Sequence, residues 1–376
     1  MKVALAVDAV VPPLTGIGRY AWELARHFVQ PEYALSSVKF YFAGGWIDDP
    51  IALLDGNASA SRRKFRQLPR IVRGNRRFRR WVSARESRDH LFHSPNYFLP
   101  EDIESGVITV HDLSIFRFPE THPEERLRQF DRNFTRSLKR ARHLITDAES
   151  VRQEVAAFFG WPLDRISAVP LGVSPRFRPR GYAELALQLD TYGLAPGGYS
   201  LCVSTLEPRK RLDRLIEAYA ELSPALRLNY PLVLVGSRGW LNQDLLDQIE
   251  RAERQGWLKY LGFVPEAELP TLYAGAHAFF MPSLYEGFGL PVLEAMASGV
   301  PALTSNTSSL PEVAGGAAWQ VNPDDHEQLR QGIEMVLSDA AWRGQAIGRG
   351  LEVAGQATWQ RCVMRTIDVY RRLGGS

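Results

Sequence analysis

Two glutamates eight positions apart, Glu286 and Glu294, bracket the segment of this 376-residue chain best suited to chemistry. Glu286 is followed by Gly287, Phe288 and Gly289, then Leu290, Pro291 and a short helix-forming run that stops at Gly299. Proline suits a first helical turn and glycine the position after the last. The glycines let backbone N–H groups approach a ligand closely, and the start of the following helix carries partial positive charge. Together they make a phosphate cradle. A carboxylate on either side is a good acceptor for the vicinal hydroxyls of a ribose or a sugar; the plainer alternative is a capped helix with two solvated glutamates. His111 follows the apolar run GVITV, and a histidine at the C-terminal end of a strand faces the ligand crevice of an α/β sheet.

These residues need a scaffold, and the hydropathy pattern supplies one. Short β-type runs are expected at 3–7, 38–42, 91–93, 107–110, 143–146, 199–203, 232–235, 259–263, 278–281 and 301–304, with amphipathic stretches such as YAWELARHFV at 20–29 and the run 151–159 between them. Repeated β-α alternation implies parallel sheets covered by helices on both faces. The pattern pauses at LGVSPRFRPRGY, residues 171–182, which reads as a linker. At roughly 150 residues per domain the length suggests two domains, here two Rossmann-like units with a cleft between them. Hydrophobic residues make up 45% of the chain, which excludes disorder and collagen. Two cysteines, Cys202 and Cys362, exclude a disulfide framework and fit a reducing, cytoplasmic compartment. The first residues, MKVALAVDAVV, read as a buried strand and not a signal peptide, and no apolar stretch is long enough to span a bilayer.

PSLYEGFGLPVLEAMASGVP, with Glu286 and Glu294 in place, resembles the signature of glycosyltransferase family 4, whose members have the GT-B fold, retain anomeric configuration and need no metal. PPLTGIGRY, HSPNYFLP at 93–100, VHDLSIFRFPETHP at 110–123, STLEPRKRLDRLIEAY at 204–219 and ATWQRCVMRTIDVYR near the end resemble further family segments in the family's order. The resemblance implies an acceptor-binding domain over 1–175, completed by a closing helix at about 357–376, and a nucleotide-sugar-binding domain over 180–356. It implies that Lys210 and Arg209 hold the donor diphosphate, as a point charge and a fork onto phosphate oxygens. It implies that Glu294 binds the ribose, that Glu286 contacts the transferred sugar, and that Phe288, Gly289 and Leu290 offer backbone N–H groups. His111 would contact the donor sugar near the reacting centre, Gly16 and Gly18 would bring backbone close to diphosphate or acceptor, and the base would sit near Gly236 and Phe263–Val264. Relatives often carry an arginine five or six residues before the lysine, where this chain has Ser204 and Thr205, and often a serine where it has Ala148. No D-x-D sequence occurs, so no metal cofactor is expected. T-L-E-P-R-K with H-D-L-S resembles bacterial mannosyl- and rhamnosyltransferases of polysaccharide assembly, which favours GDP-mannose over a UDP-sugar as donor and a growing lipid-linked glycan as acceptor.

Two other classes compete. Gly16-x-Gly18-x-x-Ala21 matches a dinucleotide fingerprint, but eight residues separate it from the first strand and no strand-end acid follows, which argues against an NAD-dependent oxidoreductase. Residues 62–88 hold twelve Lys/Arg against one acid, Glu86, while the whole chain is only +3. Such a patch could meet nucleic acid, but its confinement to one segment argues against that. An anionic partner would offset its self-repulsion, either a membrane surface, with Arg76, Arg77, Arg79, Arg80 and Trp81 at the contact, or another protein docking there, the plainer alternative being a solvated loop. Pro69 and Gly74 predict two short pieces there rather than one helix.

Overall fold

Apolar runs of three to six residues, each ended by a polar or glycine-containing turn, become the strands of two sheets. The computed structural model describes residues 1–54, 76–122, 124–239 and 243–374, without the side chains of residues 76–80 and 126. The first sheet holds β1 (Lys2–Ala6), β2 (Ser37–Phe42), β3 (Gly45–Ile47), β4 (Leu91–Ser94), β5 (Gly106–Val110), β6 (Ala141–Thr146) and β7 (Ile166–Ala168), in the order β3-β2-β1-β4-β5-β6-β7. The second holds β8 (Ser200–Val203), β9 (Leu232–Val235), β10 (Leu258–Gly262), β11 (Ala278–Met281), β12 (Ala302–Ser305) and β13 (Trp319–Val321), in the order β10-β9-β8-β11-β12-β13. Every pairing is parallel except the β2–β3 hairpin. β5, β9, β11 and β12 are buried along their whole length, as strands with helices on both faces must be. In each sheet the winding reverses once, between β1 and β4 and between β8 and β11. Ligands of doubly wound sheets bind outside the strand C-termini at such switch points.

The chain forms two compact units. One comprises Met1–Leu113, Glu125–Gly172 and Trp359–Ser376, and the other Ser114–Glu124 and Val173–Thr358. The segment Ser114–Glu124 thus goes with the second unit, an assignment that chain order alone does not suggest. Its Phe118 ring packs on Tyr285 at 5.3 Å.

The expected linker is only partly one. Phe177 is buried with its ring edge-on to Tyr273 at 5.4 Å, and Arg178 and Arg180 pair with Glu184, so its second half is docked on the second unit. β3, β7 and β13 were not expected. Three residues are too few to show a period of two.

Candidate active site

The register of β8 against β11, Leu201 opposite Phe279, sends the chain out of both strands side by side at the second switch point. From β8 it runs to a 3-10 turn, Pro208–Lys210, and reverses at Arg211, whose φ of 53° lies in the left-handed region. The helix Leu212–Ala220 begins only after that. Arg209 and Lys210 therefore precede the helix instead of opening it, and Arg209 is buried, not a solvated first turn.

Both cations converge on Glu286. Lys210 Nζ donates to its Oε1 at 2.6 Å, and Arg209 Nη1 to its Oε2 at 3.3 Å. Arg209 Nη1 also donates to the Tyr285 carbonyl at 2.5 Å, and its other terminal nitrogen lies 3.5 Å from Glu207 Oε2. Burial acts to raise the Glu286 pKa, but Lys210 and Arg209 outweigh it and hold the carboxyl below its ordinary range.

The loop after β11 is tied to the one after β12. Ser308 Oγ accepts the Glu286 N–H at 3.0 Å, Ser309 Oγ donates to the carbonyls of Glu286 and Phe288 at 2.9 and 2.8 Å, and Thr307 Oγ1 donates to Leu284 at 2.8 Å. Sequence reading missed these three hydroxyls. Their signal was a polar run, Asn306–Ser309, directly after a strand that neighbours β11. Gly287 and Phe288 are buried, and Gly289 has φ 111°, with Leu310 only 2.7 Å from where a Cβ would stand, so glycine is required there. Leu290 opens the helix Leu290–Ala297, which carries the buried Glu294. Gly236, after β9, is still more constrained. Its φ is 148° and a Cβ would meet the Ser204 carbonyl oxygen at 1.9 Å. Its N–H donates to the Gly262 carbonyl at 2.8 Å, which sets it beside Phe263, exposed, and Val264, buried. Of the expected pair, only Phe263 presents a ring to solvent.

The other expected residues lie in the first unit. Val110 of β5 pairs with Thr146 of β6, so the next residues, His111 and Asp147, leave adjacent strands side by side. His111 Nδ1 lies 2.7 Å from Asp147 Oδ2 and Nε2 lies 3.2 Å from the Pro95 carbonyl. Asp147 was not among the sequence candidates. Ala148 is fully buried as the N-cap of the helix Glu149–Phe159, which has no side-chain cap. Gly16 and Gly18 lie in the first turn of the helix Gly16–Phe28, not in a loop, and Thr15 caps that turn by accepting the Gly18 N–H at 3.2 Å. A Cβ on Gly18 would stand 2.6 Å from the Ala9 carbonyl oxygen, so packing alone demands glycine there, while Gly16 has open space. A cavity of about 450 Å³ at the ends of β1 and β4 is lined by Asp8, Ser94, Pro95, Asn96, Phe98 and Glu101 among others.

Most of the basic segment, residues 62–75 with Phe65, Pro69, Ile71, Val72 and Gly74, lies outside the described residues. A helix, Arg76–Ser87, carries Arg76, Arg77, Arg79 and Arg80. It is fastened through Ser83, which donates to Asp102 at 2.6 Å, and Glu86, which pairs with Lys39 at 2.8 Å. Trp81 is 57% exposed, with Arg85 over its ring at 5.6 Å. Among the described residues no group of three or more His, Cys, Asp or Glu could hold a metal ion, and no helix is long and apolar enough to cross a membrane.

Comparison with known proteins matches residues 14–177 to the family described as Glycosyltransferase Family 4 and residues 196–350 to Glycosyl transferases group 1. The chain is 39% identical to the O-antigen chain mannosyltransferase B of Escherichia coli, over 99% of this chain and 100% of that protein. It is 32% identical to the serotype-specific mannosyltransferase WbdA of Escherichia coli over 71% of this chain, but spans only 33% of that longer protein. Its fold is similar to that of HepE from Anabaena, solved with UDP and glucose, with a TM-score of 0.70 at 16% identity over 99% of both chains.

Proposed function

The chain belongs to glycosyltransferase family 4, its second unit being a group 1 glycosyltransferase domain, and we propose that it moves a mannosyl residue from GDP-mannose, with retention, onto a growing lipid-linked O-antigen glycan. The observation that carries the mannosyl assignment is the 39% identity, over the whole length, to an O-antigen chain mannosyltransferase. The cluster of Arg209, Lys210 and Glu286 at a sheet switch point supplies the chemistry. A diphosphate arriving there competes with Glu286 for two buried cations, which are then placed to stabilise the charge that builds on the leaving phosphate. Glu286, released from them, is free to accept from a sugar hydroxyl. The C1–O bond to phosphate breaks, the C1–O bond to the acceptor forms, and the acceptor hydroxyl proton passes to the departing phosphate oxygen. With two side-chain cations on the diphosphate, the reaction needs no metal. Glu294 takes the ribose, Phe263 and Gly236 border the base, and the acceptor sugars enter the cavity lined by Asp8, Asn96 and Glu101.

The test is a panel of GDP- and UDP-sugars, read by thermal stability and by release of nucleoside diphosphate. GDP-mannose is expected to stabilise the protein most, by about 2.7 kcal/mol at a hundred times its Kd. A larger response to a UDP-sugar would replace the donor and leave the family assignment intact.

The helix Arg76–Ser87 suits an anionic bilayer, where a polyprenyl-diphosphate-linked acceptor would lie. Trp81 is the interfacial anchor, and each basic residue near such a surface contributes about 1 kcal/mol. The protein is expected to sediment with vesicles rich in anionic lipid at low salt and to be released at high salt. Replacing Arg76, Arg77, Arg79 and Arg80 together should weaken that binding. Indifference to anionic vesicles at low salt would refute the membrane role.

A further inference from the structure

Asp147 is almost wholly buried; its Oδ2 meets His111, and among the described residues Oδ1 has no hydrogen-bond partner. Both acceptors around the His111 ring, a carboxylate and the Pro95 carbonyl, lack a hydrogen to give. With Asp147 ionised, both contacts can be hydrogen bonds only if both ring nitrogens carry protons; burial raises the Asp147 pKa and the charge on His111 opposes that shift, so the two groups titrate as a pair. Tyr20 and Tyr97 stand edge-on to it at 5.4 and 5.6 Å. Tyr20 is held well above its ordinary pKa by burial, as are Tyr370 and Cys362 on the helix Trp359–Gly374 behind it. His93 on β4 is driven down to about 3, first by burial and then by the charge on His111, so it stays neutral. Asp112, next in the chain, adds a second negative charge that favours the cation. Burial acts to lower the His111 pKa, but the Asp147 carboxylate outweighs it and holds the ring above its ordinary range.

We propose that Asp147 is a positioning residue that keeps His111 as an imidazolium, so that the ring serves transfer as a fixed cation and hydrogen-bond donor, not as a general base. The proposal rests on the reading in which His111 faces the donor. The long Nε2 contact to Pro95 is the bond that a sugar or phosphate oxygen would take over, while the short Nδ1 bond to Asp147 stays.

The sign of the pH effect follows. A group whose pKa is raised by folding contributes stability that is complete below its unfolded value and lost as pH rises through its folded value. Activity that needs the imidazolium falls over that same upper range. In Asp147→Asn the main charge partner is gone and burial is opposed only by Asp112 and the Pro95 carbonyl, so both the ring titration and the alkaline limb of kcat should move to lower pH. At neutral pH kcat should fall roughly 10- to 100-fold, the loss of one charge-assisted hydrogen bond, with little change in KM. Lowering the pH should restore part of the difference, and Asp147→Glu should restore more at neutral pH.

Ring-nitrogen NMR of the histidine-labelled full chain, with His111 assigned through His111→Gln, reads the protonation state without any substrate. Two protonated nitrogens on His111 at neutral pH, lost in a folded Asp147→Asn, support the pair even if no donor sugar is turned over. A neutral ring in the wild type overturns it. So does an alkaline limb that stays in place in Asp147→Asn, whatever the size of the rate loss.

Discussion

Replacing Lys210 by alanine is expected to lower kcat by about 10²- to 10³-fold, the usual cost of removing one donor from a developing oxyanion, while the protein stays folded. Folding should survive because Glu286 keeps Arg209 as a partner at 3.3 Å and keeps the Ser308 and Ser309 bonds that hold its backbone. The effect should fall on turnover more than on KM, since charge on the leaving phosphate is greatest in the transition state. Donor turnover at saturating acceptor, beside a melting curve, checks this. Near-normal turnover in the folded variant would remove Lys210 from the mechanism.

The two glutamates should separate cleanly. Glu294→Ala is expected to weaken binding of free GDP by roughly 10- to 100-fold, through lost hydrogen bonds between a charged carboxylate and the ribose. Glu286→Gln should leave GDP affinity undiminished, because it frees Arg209 and Lys210 from a competing anion, yet it should abolish most transfer. It should also destabilise the unliganded protein, because Lys210 loses the carboxylate it donates to at 2.6 Å while Arg209 keeps Glu207 and the Tyr285 carbonyl. That penalty depends on pH in a defined direction. The Glu286 carboxyl is held below its ordinary range, so its stabilising effect is present above the unfolded pKa and lost as pH falls through the folded one. The gap between wild type and Glu286→Gln should therefore narrow in acid. Calorimetry with GDP and melting curves across pH decide the matter; equal losses of GDP affinity in both variants would contradict the assignment.

The strands that carry the site were legible because they are apolar, short and punctuated. The runs at 232–235 and 278–281 coincide with β9 and β11, and the loop after β11 announced itself through Glu286, two glycines and a proline. What sequence could not show is who meets whom. Arg209 and Glu286 are 77 positions apart, and only the parallel order of β8 and β11 brings them together. Asp147 escaped for the same reason. An aspartate after a strand is common, and its meaning depends on β6 lying beside β5 in a register that puts it against His111. Gly18 taught the opposite lesson, since a motif glycine turned out to be demanded by the Ala9 carbonyl. The left-handed Arg211 left no mark in composition at all.

The helix Trp359–Gly374 follows the whole of Val173–Thr358 in the chain but completes the first unit. Its Tyr370 hydroxyl reaches His93 at 2.5 Å, its ring packs on Phe28, and Trp359, Val363 and Ile367 are buried with it. On the ribosome, the half that emerges first therefore cannot finish folding until residues 359–374 follow, although the sheet of the second unit is assembled from the contiguous stretch between them. For the time needed to translate residues 173–358 the first unit waits with an apolar groove and a buried histidine uncovered, a natural client for a chaperone. A chain ending at residue 358 would carry every group of the Arg209–Lys210–Glu286 cluster and still lack the helix that completes the first unit.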